Sequence, residues 1–466
     1  MATNIEPQFS LWICLTSSKS KAIADMAAVS LKTPLYRLKK SISYLTLGGD
    51  WTIALPLDIK HNLRWFWYDG LFAASSDNII LTYLVLYLLS LGATRTQIGL
   101  MSSFSSLSTA ILLLPGALLV ERIAHRKGII LTCGGGIGRL MILAMALVPL
   151  VLDKQALVWI VIALSVTRDS MSNFSFPAWM SITGDIVPLE GRGRYFGSRN
   201  FIMGIAGMTT ILLVGEWITH TEKPLGYQLA IGLAFLLGIA STFSFSRIKD
   251  PLDGSASPTW ASFKFSGLIH EMRMHPPFVA LCAVNALWNF SINIAGPFFT
   301  VYMVQNLEAT ATMVGIVSIL ATLFSLSIQR KVGGLTDRWG PQRMQLLSML
   351  LIPILPACWA FTNAMWQIYI INSLSGILWG AFNLASFHFL LTLTPEAQRA
   401  RYSALYQIAV TLSLAAGAAL GSWIVTQWGY QGVFLCSALG RMISALFFAR
   451  FVLAPVPVGK EAIVKI

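Results

Sequence analysis

Charged residues stand in this chain where long apolar runs give no obvious reason for them. Asp77 lies within the apolar run 65–92, and Arg168 and Asp169 lie within the run 156–187. Each is about twelve residues into its run, and at about 1.5 Å per residue of helix that depth is near the middle of a bilayer. A charge there costs about 2.5–3.5 kcal/mol on insertion scales, so each needs a partner or a task. A buried carboxylate can take up a proton, and an arginine can hold a carboxylate. An Asp77–Arg168 pair is therefore read as a substrate or coupling site, with Asp169 beside it and Asp69 on the same run nearer its start. The bland reading is a static ion pair that braces two helices. Asn285, Asn289 and Asn293 are spaced by four in the run 277–305, so a helix would place them on one face. Amides donate and accept hydrogen bonds without charge. Such a stripe lines a cavity or joins helices. His388, in the run 367–393, could relay protons; a lone membrane histidine is more often a packed polar residue. Arg139 and Arg441 lie mid-run and are read as structural, with no partner evident.

These residues need helices long enough to carry them into a membrane. The chain has 466 residues, of which 55% are hydrophobic and 11% charged; its mean hydropathy is +0.67. Soluble domains carry about 25% charged residues, so no large soluble domain fits. Twelve apolar runs long enough to span a bilayer can be marked: 65–92, 97–120, 129–150, 156–187, 195–216, 227–246, 277–305, 312–330, 344–362, 367–393, 402–428 and 432–453. The net charge of +13 is distributed by topology. The odd-numbered connections hold only Arg95, Lys154 and Lys223 as basic residues. The even-numbered ones hold many more, among them Arg122, Arg126, Lys127, Arg192, Arg194, Arg199, Arg338 and Arg343. Positive charge marks the cytoplasmic side, so both termini are expected inside, in a plasma (inner) membrane, and a nucleic-acid surface is not indicated.

The expected divisions are a cytosolic extension 1–60, a first six-helix half 61–246, a cytosolic linker 247–276, a second half 277–453 and a cytosolic tail 454–466. The short apolar stretch Phe9–Leu15 follows Glu6 and lacks the pattern of a signal peptide; Met26 is a second candidate start. Phe265, Leu268, Ile269 and Met272 fall at helical spacing in the linker, which suits a helix lying on the membrane face. Cys14, Cys133, Cys282, Cys358 and Cys436 are scattered and read as small hydrophobes. No metal-ligand cluster, nucleophile–base pair or nucleotide loop is visible, so neither an enzyme nor a cofactor is expected.

The chain also repeats itself. Ala117 to Lys127 and Gly333 to Arg343 align without a gap at a spacing of 216 residues, with Glu121-Arg122 against Asp337-Arg338. Leu91-Gly-Ala93-Thr94-Arg-Thr96-Gln-Ile-Gly99 aligns with Leu307-Glu-Ala309-Thr310-Ala-Thr312-Met-Val-Gly315 at the same spacing. Pro188 to Tyr195 aligns with Pro395 to Tyr402. A membrane chain with such a repeat has the pattern of a two-halved transporter.

The pattern Gly333-x-x-x-Asp337-Arg338-x-Gly340-x-x-Arg343 resembles the signature loop of the major facilitator superfamily. The first copy departs from it, with Ala117 and Ala124 at the glycine positions and Glu121 at the aspartate. The resemblance covers roughly residues 62–455. It implies an all-α integral membrane fold of twelve transmembrane helices in two pseudo-symmetric six-helix halves. It implies a secondary transporter that moves a small solute by alternating access, with protons as the first candidate for coupling. Membrane lipid surrounds such a protein, which is expected as a monomer. Its loop residues, here Glu121, Arg122, Gly333, Asp337, Arg338 and Gly340, would act as a conformational latch. Arg168-x-x-Met171-Ser172 keeps the arginine but not the Gln-Gly found on the fourth helix of many proton-coupled members, and Gly204-Ile-Ala-Gly207 lacks the glycine–proline element of many drug antiporters. A transporter-like assembly or chaperone protein, or a lipid flippase, are the other readings. With acids on one side and amides on the other, the cavity is expected to suit a neutral polar or cationic solute.

Overall fold

The computed structural model describes residues 55–122, 125–151, 154–188, 191–250, 276–393 and 399–452. Among these the regular elements are all helical. In the first half they are α1 (Leu57–Ser90), α2 (Arg95–Arg122), α3 (Arg126–Leu150), α4 (Lys154–Ile186), α5 (Arg192–Thr219) and α6 (Leu225–Ser246). In the second half α7 runs as Pro276–Ala295 and Phe298–Asn306, α8 as Ala311–Trp339, α9 as Pro341–Leu351 and Ile354–Trp359, and α10 as Met365–Leu393. One long stretch then holds both α11 (399–428) and α12 (430–452), divided at Gly429, whose φ of 66° lies in the left-handed region that glycine alone adopts at little cost. Among the described residues eight stretches are long and apolar enough to cross a membrane, one of them the Tyr406–Val452 stretch that contains the α11–α12 break.

Helix ends differ from the apolar runs for a physical reason: hydropathy marks where a helix enters lipid, not where it stops. α1 starts at Leu57, and its first turns are pinned by Asn62, whose amide donates to the Lys249 carbonyl at 2.8 Å and accepts from the Lys249 N–H at 2.9 Å. α2 and α8 run on to Arg122 and Trp339, so most of the repeated signature segment is helix and not loop. The turn itself falls at Gly340, with φ 82°, and Pro341 then opens α9. Residues 1–54 of the expected extension 1–60, the linker segment 251–275 with its amphipathic pattern, and the tail lie outside the described residues.

The duplication is visible in backbone detail. Thr94 and Thr310 each cap the following helix, accepting from the N–H of Gln97 at 3.2 Å and of Met313 at 3.3 Å. Two residues earlier, Gly92 and Glu308 both have positive φ, 92° and 51°. Glutamate pays for that conformation about 1–2 kcal/mol that glycine does not. Glu308→Gly is therefore expected to raise the apparent Tm of the purified protein slightly, and Gly92→Glu to lower it. A fall in Tm for Glu308→Gly would contradict the equivalence of the two turns.

Small residues set the closest helix approaches. Any side chain at Gly417 or Gly421 of α11 would collide with the backbone of α7 at Phe290 and Ile294, the small-residue contact expected where lipid supplies no drive for association. Gly134 and Gly135, in the π-helical segment Ile130–Ile137 of α3, lie against Ser175 of α4 and Thr242 of α6. The halves meet at the end that carries the turns 91–94, 220–224 and 307–310. Arg95 Nε donates to Gln305 Oε1 at 3.0 Å, the Thr219 and Thr312 hydroxyls lie 2.9 Å apart, Thr312 donates to Glu216 at 3.0 Å, and Ser103 donates to the Ala415 carbonyl at 2.8 Å.

Candidate functional site

Charges on α1, α3 and α4 converge inside the first half. Asp77 Oδ1 accepts from Arg168 Nη2 at 2.5 Å and from Arg139 Nη1 at 3.4 Å. Arg168 Nη1 also donates to Asp169 at 2.9 Å, and Arg139 Nη1 to the Ser76 hydroxyl at 3.2 Å. α1 and α4 thus bring Asp77 and Arg168 to one depth, although their runs enter the membrane from opposite sides. Arg139, read from the sequence as a structural residue without a partner, is the fourth member of the cluster. It reaches inward across α6 at Gly238, where any side chain would collide with its own.

Asp69 has a separate partner. It accepts from Ser241 Oγ at 2.7 Å and lies 3.4 Å from Arg199 Nη2. Arg199 also donates to the Phe66 carbonyl at 3.1 Å and sits over the Phe66 ring at 4.1 Å from its centroid. It is only 4% exposed, so this arginine belongs to the interior and not to the basic connection in which the charge count places it. A buried ion pair needs such added hydrogen bonds and contacts to offset desolvation.

Two cavities meet at Asp77. One, of about 310 Å³, lies within the first half and is bordered by Asp69, Asp77, Arg139, Arg199, Trp179 and Ser241. The other, of about 720 Å³, lies between the halves and is bordered by Asp77, Arg168, Asp169, Asn173 and, across the interface, Asn293. Asp77 borders both, and half of its side-chain surface is exposed. Its carboxylate is thus open to both spaces. Each of the three acids has an arginine within ion-pair reach: Arg199, Arg168 or Arg139. The three acids and three arginines at this site therefore balance, which alters the expectation of an acidic wall.

The asparagine stripe divides. Asn293 donates to the Leu414 carbonyl at 2.7 Å and reaches Ser102 of α2 at 3.4 Å, so it joins the cavity and the seam between halves. Asn285 donates to Leu281 and Asn289 to Asn285, each along α7 itself. Asn285 is buried and its side-chain oxygen has no hydrogen-bond partner among the described residues. Asn173 is a cavity residue that the sequence reading does not single out; its position four after Asp169, on the same helix face, is the signal that finds it.

The side chains of His388, Glu121, Arg122 and Asp337 lie outside the described residues; Arg338 is exposed at the end of α8. At the matching end of the first half the fixed charge is Arg126. It donates to Asp185 at 2.8 Å, Ser181 at 2.6 Å and Asp250 at 2.6 Å, tying α3 to α4 and to the end of α6.

Comparison with known proteins places this geometry in context. A sequence model of the Major Facilitator Superfamily matches residues 70–293 and again 281–464. The multidrug resistance protein MdtG of Dickeya zeae is 22% identical over 405 residues, covering 84% of this chain and 94% of its own length. The multi-drug resistance efflux pump PmrA of Streptococcus pneumoniae is 22% identical over 400 residues, covering 83% and 95%. Among solved structures, a bacterial homologue of the iron transporter ferroportin in its inward-facing state superposes with a TM-score of 0.65 at 15% identity, covering 83% of this chain and 98% of that one. The nucleoside transporter NupG superposes with a TM-score of 0.62 at 13% identity, covering 83% and 98%.

Proposed function

The chain belongs to the Major Facilitator Superfamily, and we propose that within it this protein is a proton-coupled exporter of small drug-like solutes. It is a secondary transporter embedded in the membrane, and not an enzyme. The observation that carries the coupling reading is the position of Asp77, held by Arg168 and Arg139 yet bordering both an internal chamber and the space between the halves. Protonation of Asp77 would release Arg168 to Asp169 alone. That is a change in charge pairing at the seam which an inward–outward equilibrium can sense. Asp69, with its own arginine and serine, is the second proton site. Export is suggested by the efflux pump named among the similar proteins.

The basic residues put the 122–126, 187–191 and 247–250 connections in the cytoplasm, together with the extension 1–60, the connection 247–276 and the tail 454–466. The halves join at the opposite end, so the arrangement described is inward-facing. Asp337, Arg338 and Gly340, with Glu121, Arg122 and Gly333, are proposed to latch the cytoplasmic end when the carrier turns outward. Binding at the seam and rocking of one half against the other complete the cycle.

Vesicles carrying the protein test this reading. Accumulation of a cationic dye, a neutral drug and an organic anion is followed with an imposed pH gradient, and again after a protonophore collapses it. Gradient-dependent movement of at least one probe is expected. Movement that survives the protonophore but needs a sodium gradient would replace protons as the coupling ion; no movement of any probe would remove the export reading.

A further inference from the structure

We propose that Arg441, on α12, is the anion-binding group of a second solute subsite, which takes the carboxylate of a small aromatic acid. Among the described residues no carboxylate of the first half balances this residue. Asp69, Asp77 and Asp169 are matched by Arg139, Arg168 and Arg199, which leaves Arg441, among the described mid-membrane charges, as the cation without a carboxylate. It is 3% exposed and has no carboxylate within ion-pair distance among the described residues. Among the described residues its one hydrogen bond runs from Nη2 to the Ile292 carbonyl at 3.4 Å, and its Nε has none. A guanidinium offers five N–H donors and stays charged. Held in the membrane interior without an anion, it is a strongly unfavourable arrangement, and an anion brought to it removes the deficit.

Arg441 borders a cavity of about 410 Å³ between the halves, which is within the range of small-molecule sites. Phe299, Trp359 and Trp379 supply aromatic wall, and Asn78 and Asn372 supply polar groups. Phe299 and Trp359 meet edge to face with centroids 4.7 Å apart. A flat aromatic body against those rings, with its carboxylate toward the guanidinium fork, uses both kinds of surface. Leu81 of α1 borders this cavity and the one at Asp77, so the two spaces are neighbours across a single helix. An acid bound here stands next to the proposed proton site without competing for its arginines. The inference deepens the transport reading and rests on it for its biological meaning, while its test is one of binding alone.

Direct binding of radiolabelled benzoate to the purified full-length protein is measured, with unlabelled benzamide, benzyltrimethylammonium and sodium chloride as competitors. Saturable benzoate binding is expected, with little displacement by benzamide or the cation. Arg441→Gln should weaken it by about 10- to 100-fold, the loss of a charge-assisted hydrogen bond, and Arg441→Lys by less. Arg441→Gln removes an unpaired buried charge, so it should fold with an unchanged or higher Tm. Should it fail to fold, the preference of the wild-type protein for benzoate over benzamide and the affinity of Arg441→Lys still decide. Equal binding of benzoate and benzamide, or unchanged affinity in a folded Arg441→Gln, would reduce Arg441 to a packing residue. Displacement of benzoate by chloride at equal concentration would make the site one for inorganic anions and overturn the carboxylate proposal. Export of a cationic dye without benzoate binding would defeat this inference and leave the transport reading standing; benzoate binding without any transport would do the reverse.

Discussion

Asp77→Asn is expected to fold, to reach the membrane, and to lose gradient-driven transport down to the background of empty vesicles. The fold should survive because both arginines keep other partners: Arg168 retains Asp169 at 2.9 Å, and Arg139 retains the Ser76 hydroxyl at 3.2 Å. The coupling should not survive, because an amide cannot take up and release the proton that a carboxylate does. Arg168→Gln should behave differently. It strips Asp169 of its ion-pair partner and leaves Asp77 only the longer contact to Arg139. Removing one member of a buried pair costs about 3–5 kcal/mol, and the partial exposure of both acids reduces that figure here. Its yield and Tm should therefore fall below those of Asp77→Asn. The double variant Asp77→Asn with Arg168→Gln removes one charge of each sign, so it should fold better than Arg168→Gln alone and remain inactive. Gradient-driven transport at the wild-type level in the double variant would show that these residues only brace α1 against α4.

Part of this arrangement is legible in the sequence for simple reasons. Depth along a straight helix follows from residue count, so counting alone matches Asp77 with Arg168. The 216-residue spacing carries the repeat, and it holds down to the positive φ of Gly92 and Glu308 and the caps at Thr94 and Thr310. Facing is harder to read. Arg139 lies just after a π-helical segment of eight residues, which shifts the face on which later side chains emerge. Its inward reach also depends on Gly238 of α6, far away in the chain. Arg199 sits near a run of basic loop residues, and only the packing of α5 against α1 shows that it is buried over Phe66. The asparagine stripe illustrates the same limit. Three amides share a face, yet among the described residues only Asn293 of these bonds beyond its own helix, to Leu414 of α11 and Ser102 of α2 in the other half.

Hydropathy also misplaces the signature segment. Its residues are polar enough to look like a loop, but α8 continues as helix through Asp337 and Arg338 to Trp339 before the turn at Gly340. The residues proposed as a latch in the second half, Asp337 and Arg338, therefore stand on the end of α8. In the first half the ion pairs of Arg126 with Asp185 and Asp250 join the ends of three helices, so this end can move as one piece.

The central claim is alternating access from an inward-facing arrangement that is closed at its outer end by contacts between the halves. Thr219 of α5 and Thr312 of α8 are the most direct place to test it, because their hydroxyls lie 2.9 Å apart across that seam and near solvent. Both are replaced by cysteine in a background in which the five native cysteines are serine. A membrane-impermeant bifunctional thiol reagent, cleavable by reduction, is applied to intact cells, and transport is then measured in vesicles made from them. The account predicts that the two positions link from the outside, that linked protein transports nothing while each single-cysteine control stays active, and that reduction restores transport. Full transport by the linked protein would contradict alternating access at this seam, and linking only after the membrane is broken would contradict the orientation.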